Sequence, residues 1–321
     1  MGGTTSTSAI AVSGLRKSFG DKMVLDGIDL EVPEGTTFSL LGPNGAGKTT
    51  TVQILSTLIG FNGGQARIAG HDLATEPDAV RAAIGVTGQF SAVDNLLTGA
   101  ENLILMADLQ HLRRPEGRRR VAELLDRFDL TEAASKLAST YSGGMRRRLD
   151  LAMTLVGEPR VIFLDEPTAG LDPRSRRMMW QTVRDLVAGG VTVFLTTQYL
   201  EEADQLADRI AVLDHGKLVA VGTPEELKRS VPGGHVRLQF GDAASLDAAA
   251  RALGDMSRDD EALTLQVPSD GGVPALRALL DRLEQARIEV DGLSVHTPDL
   301  DDVFFALTGH PTATKEEVAA R

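Results

Sequence analysis

The run Gly42-Pro43-Asn44-Gly45-Ala46-Gly47-Lys48-Thr49 limits what this chain can fold into more than any other feature, because of what flanks it. Thr37 to Leu41 is a short, mostly apolar stretch of strand character, and Thr49 to Leu58 carries apolar residues at helical spacing. Strand, glycine-rich turn and helix in that order make a loop whose backbone N–H groups turn inward around an anion, while the helix aims the positive end of its dipole at the same space. In such a loop the lysine reaches the β- and γ-phosphates of a nucleoside triphosphate, and the following hydroxyl binds Mg²⁺. Gly42, Asn44, Gly45, Ala46, Gly47, Lys48, Thr49 and Thr50 are therefore the first candidate binding residues, with Thr49 also a metal ligand.

A second element has the matching chemistry. Val161-Ile162-Phe163-Leu164 is apolar at every position, as expected of a strand buried on both faces, and it ends in Asp165-Glu166. Asp165 at the strand end can hold Mg²⁺ through its water shell, and Glu166, aimed differently, can orient or deprotonate an attacking water. Val191 to Leu195 reads as a further central strand. Strands alternating with helical patterns predict an α/β domain with a largely parallel sheet.

Between Thr98 and about residue 142 leucine, alanine and charge recur at helical spacing with few β-branched residues, which predicts a helical subdomain. The breaker cluster Val231-Pro232-Gly233-Gly234 predicts a domain boundary near 232, giving one domain over 1–231 and a small α/β domain over 232–308, followed by a flexible tail at 309–321. In the second domain His235 to Phe240, Ala262 to Val267 and Ile288 to Val295 read as strands, and Ala243 to Leu253, Val273 to Ala286 and Leu300 to Leu307 as helices. No apolar run reaches the ~18 residues of a membrane span. A net charge of −12 argues against a general role on nucleic acid, and the absence of cysteine removes disulfides, thiolate metal sites and cysteine nucleophiles. The N-terminus lacks the layout of a signal peptide, so the chain is expected to face the cytoplasm.

Tyr141-Ser142-Gly143-Gly144-Met145, upstream of the Asp-Glu strand, resembles the signature motif of ABC-transporter ATPases. Gln89 in Thr87-Gly88-Gln89-Phe90 resembles the family's Q-loop, which contacts the metal, Ala169-Gly170-Leu171-Asp172 resembles its D-loop, and Phe19 stands where an aromatic stacks on adenine. The resemblance covers roughly residues 8 to 230. The wording Gly88-Gln89-Phe90, Thr197-Gln198-Tyr199-Leu200-Glu201-Glu202-Ala203 and Leu300-Asp301-Asp302-Val303-Phe304 is most similar to daunorubicin-resistance-type ATP-binding subunits.

The resemblance implies a P-loop NTPase core with an antiparallel β subdomain and a helical subdomain, and a cofactor set of ATP and Mg²⁺. It implies an ATP-hydrolysing subunit at the cytoplasmic face of the cell membrane, bound to a separate multi-span permease and powering efflux of a hydrophobic small molecule of drug or antibiotic type. A second ATP-binding subunit would complete the site, with Ser142, Gly143 and Gly144 of one copy meeting the γ-phosphate held by the other. From the residues alone Ser142 is a good helix cap, and both readings of it stand. Two positions depart from the family pattern. Gln198 replaces a histidine that contacts the γ-phosphate, and Met145 replaces a glutamine. A glutamine amide can still donate to a phosphate oxygen but cannot take up a proton. An importer subunit, a soluble non-transport ATPase and a low-turnover regulatory nucleotide-binding module are the competing functions. Arg113, Arg114, Arg118, Arg119 and Arg120, with Arg146 to Arg148, read either as a solvated face or as contacts for lipid headgroups or an acidic partner. Met178, Met179 and Trp180 read as helical core packing.

Overall fold

The computed structural model describes residues 8–88, 92–231, 234–254 and 256–309. Gln89, the break at 232–233 and nearly all of the 309–321 tail lie outside the described residues. Two long strands, β1 (Ser8–Phe19) and β2 (Lys22–Pro33), open the chain, and β3 (Thr37–Leu41) leads through the glycine-rich turn into α1 (Lys48–Leu55). Next come β4 (Gly63–Ile68), β5 (His71–Asp72), α2 (Pro77–Ala83) and β6 (Ile84–Thr87). Helices α3 (Gly99–Leu109), α4 (Arg114–Arg127) and α5 (Gly143–Thr154) follow, with 3₁₀ turns at Thr131–Ala133 and Ala138–Thr140 between the last two. β7 (Val161–Asp165), α6 (Pro173–Ala188), β8 (Thr192–Thr197), α7 (Leu200–Leu206), β9 (Arg209–Asp214) and β10 (Lys217–Gly222) complete this part.

The central sheet has the order β10-β9-β3-β8-β7-β6, parallel except for the β9/β10 hairpin. Every residue of β3, β7 and β8 is buried, the state a parallel strand reaches when helices or a second sheet cover both faces. A separate antiparallel sheet, β2-β1-β4-β5, forms the β subdomain. It shares a hydrophobic cluster with one face of the central sheet, in which Ile10, Leu25 and Ile68 join Phe38, Phe163 and Phe194. The other face packs on a cluster that runs through α3, α4, α5 and α6. α3 starts at a capping box in which the Thr98 hydroxyl accepts from Glu101 N and the Glu101 carboxylate accepts from Thr98 N at 2.8 Å.

Contacts within the chain divide it into Met1–Pro224 and Glu225–Arg321, so α8 (Pro224–Ser230) goes with the second unit. That division lies ahead of the 231–234 breaker cluster because the short helix intervenes. The second unit runs β11 (His235–Gln239), α9 (Ala243–Leu253), β12 (Ser257–Asp259), β13 (Thr264–Pro268), α10 (Val273–Gln285), β14 (Gly292–His296) and α11 (Leu300–Thr308). Its antiparallel sheet has the order β12-β13-β11-β14, and the β-α-β-β-α-β core is of ferredoxin-like type. Val236, Leu238, Leu265 and Val267 face Leu246, Ala249, Leu279 and Leu283 in a hydrophobic core of its own.

Phe194 lies fully buried between Phe38 and Phe163, with ring centroids 5.5 and 5.6 Å away. Truncating a buried aromatic of this kind costs about 3–5 kcal/mol. Phe194→Ala is therefore expected to lower the urea midpoint sharply, followed by the fluorescence of Trp180, the chain's one tryptophan, buried in the same unit. A loss below about 1 kcal/mol would contradict this packing.

Candidate active site

Parallel pairing brings the site residues together. β3, β8, β7 and β6 lie side by side, with Leu41 opposite Thr197, Asp165 opposite Thr196 and Thr87 opposite Leu164. The loops that leave these strands therefore emerge along one edge, the carboxyl edge where open α/β sheets bind ligands. Gly42 through Lys48 leave β3, Gln198 leaves β8, Glu166 leaves β7 and Gly88 leaves β6.

The phosphate-loop cradle is shaped by two glycines. A Cβ on Gly42 would lie 2.3 Å from the Leu213 carbonyl oxygen, and one on Gly47 would lie 2.6 Å from Leu25 Cδ2. Gly47 also has φ +114°, a conformation open to glycine. The loop is anchored where Gly42 N donates to Thr197 O at 3.3 Å and Gly216 N to Ala46 O at 3.1 Å. Ala46 and Gly47 are buried, Asn44, Gly45 and Thr49 are exposed, and Thr50 is half-buried. No acidic residue occupies the first turn of α1, so the positive end of its dipole stays uncompensated by the helix itself.

Lys48 is 5 % exposed and donates to the carbonyls of Gly42 at 2.8 Å and Pro43 at 3.1 Å. Its ammonium lies 3.7 Å from Glu166 Oε1. Burial pulls the lysine pKa down, and the charges of Glu166 and Asp165 pull it back up. Asp165 is buried and its Oδ1 accepts from the Thr196 hydroxyl and, at 3.4 Å, from Thr49. Glu166 sits at φ +49°, a left-handed conformation sparsely used by residues with a side chain, and its N–H donates to both the carbonyl and the hydroxyl oxygen of Thr196, at 3.1 and 3.2 Å. From this turn the Glu166 carboxylate reaches Lys48. The residues fit a nucleoside triphosphate and its Mg²⁺: the loop admits no Cβ at Gly42 or Gly47, a buried ammonium lies within it, and a hydroxyl and a carboxylate converge beside it. When bound, Mg²⁺ neutralises charge on the β- and γ-oxygens.

The remaining expected residues lie apart from this cluster or beside it. Gln198 is exposed, directly after Thr197 at the end of β8. Phe19 is 52 % exposed, with the Lys17 ammonium 4.7 Å from its ring centre; it ends β1 opposite Lys22, just ahead of Val24 and Leu25, which abut Gly47. Ser142 caps α5, its hydroxyl accepting from Met145 N at 3.2 Å, and both Ser142 and Gly143 are exposed. A Cβ on Gly144 would lie 2.7 Å from Ser175 Oγ, so this helix end packs on the residue that Asp172 holds. The Asp172 carboxylate caps α6 through Arg174 N and Ser175 N, each at 3.0 Å, and accepts from Ser175 Oγ at 2.5 Å. These bonds, led by those from Ser175, hold its pKa below the ordinary carboxylate value.

The inward roles of three residues at or beside the site were not legible beforehand. Arg147 and Arg148 turn inward: Arg148 donates to Phe128 O at 2.9 Å and pairs with Asp129 at 3.1 Å, and Arg147 reaches the turn around Glu166. The solvated-face reading therefore fails for these two arginines. Glu202 is fully buried and accepts from the indole of Trp180 at 3.3 Å, so Trp180 packs in the core and also orients a carboxyl group. Burial raises the Glu202 pKa, opposed by the hydroxyls of Thr197 and Thr168 and by the indole.

Replacing Lys48 by alanine leaves the buried Asp165 and the partly buried Glu166 without this neighbouring cation and takes the positive charge out of the loop. Lys48→Ala is expected to weaken binding of a fluorescent ATP analogue by at least about tenfold, roughly 1.4 kcal/mol. A Kd within about twofold of the unaltered chain would remove Lys48 from the site. For Glu202 the folded state holds its proton at pH values where the unfolded chain, with an ordinary value near 4.5, has lost it. Stability should therefore fall as pH rises from there through the raised folded value, and Glu202→Gln should flatten that fall. Identical pH slopes in denaturant melts of the two proteins would contradict the burial of an ionisable group at this position.

The comparisons with known proteins agree with this geometry. The ABC transporter family model matches residues 25–169, and that of the DrrA1-3-like ATP-binding protein C-terminal domain matches residues 222–308. The daunorubicin/doxorubicin resistance ATP-binding protein DrrA of Streptomyces peucetius is 50 % identical over 313 residues, covering 96 % of this chain and 94 % of that protein. The Nod factor export ATP-binding protein I of Ralstonia nicotianae is 35 % identical over 323 residues, covering 96 % of each chain. A solved ATP-binding subunit of an ABC transporter superposes with a TM-score of 0.63 at 28 % identity, over 70 % of this chain and 93 % of that one. Phosphate loop, carboxylate pair, signature helix and accessory C-terminal domain thus occur together, and the chain belongs to the ABC transporter family, in its group of DrrA-like ATP-binding proteins.

Proposed function

We propose that this chain hydrolyses ATP to power an exporter of hydrophobic small molecules of drug or antibiotic type, and that it works as one of a pair on a separate membrane subunit. The observation that carries the reading is the Glu166 carboxylate held 3.7 Å from the Lys48 ammonium at the sheet edge, beside Asp165 and Thr49. This is the equipment for a hydrolytic turnover and exceeds what a passive nucleotide sensor needs.

Lys48 and the loop amides hold the triphosphate, Thr49 and Asp165 hold Mg²⁺, and Glu166 orients a water and accepts its proton. Gln198 donates from the neighbouring strand end, and its amide stays neutral throughout. Gln89 would join metal and partner, and Phe19 would stack on adenine. The exposed start of α5 supports the pairing: Ser142, Gly143 and Gly144 present a capped helix end to solvent, suited to the γ-phosphate held by a second copy. Closing such a pair is a movement that a membrane partner can feel.

A separate partner for passage through the bilayer is in keeping with the fold, since among the described residues no helix is long and apolar enough to cross a membrane. The relatives' names supply the direction and class of cargo, one naming drug resistance and the other export. This reading places the chain at the cytoplasmic face of the membrane. Gentle detergent extraction of the tagged chain from its native cells is expected to bring down a multi-span membrane protein in near-equal amount. Ribosomal or nucleic-acid components in its place would overturn the exporter reading and leave the ATPase.

A further inference from the structure

The guanidinium of Arg147 gathers more of the site's backbone than any residue the motifs single out. Its side chain is 12 % exposed and issues from α5, the helix that Ser142 caps. Nε donates to Pro167 O at 3.0 Å and Nη2 to Asp165 O at 3.3 Å, so the carbonyls on both sides of Glu166 point at one side chain. Nη1 donates to Gly88 O at 3.1 Å and pairs with Asp150 Oδ2 at 3.3 Å. Asp150, itself buried, accepts from Ala92 N at 3.0 Å through its other oxygen. One ion pair on α5 therefore holds the end of the chain leaving β6, its return at Ala92 and the turn that carries Glu166.

Glu166 needs such support. Its φ of +49° is a strained conformation that persists only where the surroundings over-determine it. Thr196 fixes the Glu166 N–H from the β8 side, and Arg147 fixes the flanking carbonyls from the α5 side. The planar fork of arginine suits this task, because three nitrogens address three carbonyls at fixed angles, which a lysine ammonium on a flexible stem cannot reproduce. Among the described residues Arg147 makes no hydrogen bond to Lys48 or the phosphate loop.

We propose that Arg147 is a positioning residue for ATP hydrolysis: by holding the carbonyls of Asp165 and Pro167 it aims the Glu166 carboxylate, and it ties that aim to the helix that starts at Ser142. The proposal rests on the hydrolysis reading above. It separates the turnover step, which depends on Arg147, from nucleotide binding, which does not.

The test uses the full chain, with steady-state ATPase kinetics, binding of a fluorescent ATP analogue and urea melts followed by Trp180. Arg147→Ala is expected to lower kcat by about tenfold or more while the analogue's Kd stays within about twofold, and Arg147→Lys is expected to recover part of the loss. In a Glu166→Gln background the same alanine substitution should cost less than about twofold, because the group it positions is gone. Unchanged kcat in Arg147→Ala would overturn the proposal, as would an equal fractional loss in both backgrounds, which marks general loosening. Should Arg147→Ala fail to fold, the Arg147→Lys and Glu166→Gln pair gives the same comparison. An unaltered chain with no turnover, indistinguishable from Glu166→Gln, would overturn the hydrolysis reading together with this one, whereas an active chain with an indifferent Arg147 overturns this one alone.

Discussion

The buried Lys48 ammonium is the constraint on which the rest of the site depends. Taking a charge of this kind out of water costs several kcal/mol, and the cost is offset only where partners are fixed in advance. Here the carbonyls of Gly42 and Pro43 accept its protons, and Glu166 and Asp165 supply opposite charge. The carbonyls belong to the loop after β3 and the carboxylates to the end of β7, with β8 between the two strands, so the lysine meets both sets only if β3, β8 and β7 pair in their observed register. A slip of one residue would point Asp165 to the other face of the sheet. Packing of the Phe38, Phe194 and Phe163 rings beneath that edge holds the register, which links core stability to site geometry.

A second level of organisation joins this edge to the helical subdomain. Arg147 and its partner Asp150 connect α5 to the turns on either side of the sheet edge, and Gly144 abuts Ser175 at the Asp172 cap. The start of α5 is thus joined through hydrogen bonds to the turn that carries Glu166, although Ser142 itself faces solvent. That continuity is the physical route by which, in the proposed pair, contact at Ser142 would alter turnover at Glu166. The C-terminal unit has a hydrophobic core of its own.

Much of the strand-end site was legible in the sequence because each part is carried by adjacent residues. Gly42 to Thr49 and Val161 to Glu166 are local patterns, and parallel pairing of β3 and β7 on the two sides of β8 brings their ends to one edge. The bounds of β3, α9 and α10 were also legible to within a residue, because apolar periodicity marks them. Arg147 and Glu202 were not. Each works through partners tens of positions away, and a run of three arginines reads the same whether it is solvated or turned inward. β12 was missed for a related reason: Ser257 to Asp259 are all exposed, with no apolar alternation, and form a strand only through pairing with β13. Asp172 reads in sequence as part of a loop motif, yet in the structure its carboxylate is engaged as a helix cap.

In the proposed pair, two copies of this chain enclose ATP between the Lys48–Glu166 edge of one and the Ser142 helix start of the other. The solution mass of full-length Glu166→Gln, by light scattering with and without saturating Mg²⁺ and ATP, tests this directly. Such a pair predicts a monomer without nucleotide and a dimer with it, the dimer being lost when Ser142 is replaced by arginine, which fills the helix start. A Glu166→Gln chain that binds ATP and stays monomeric at saturation would contradict it.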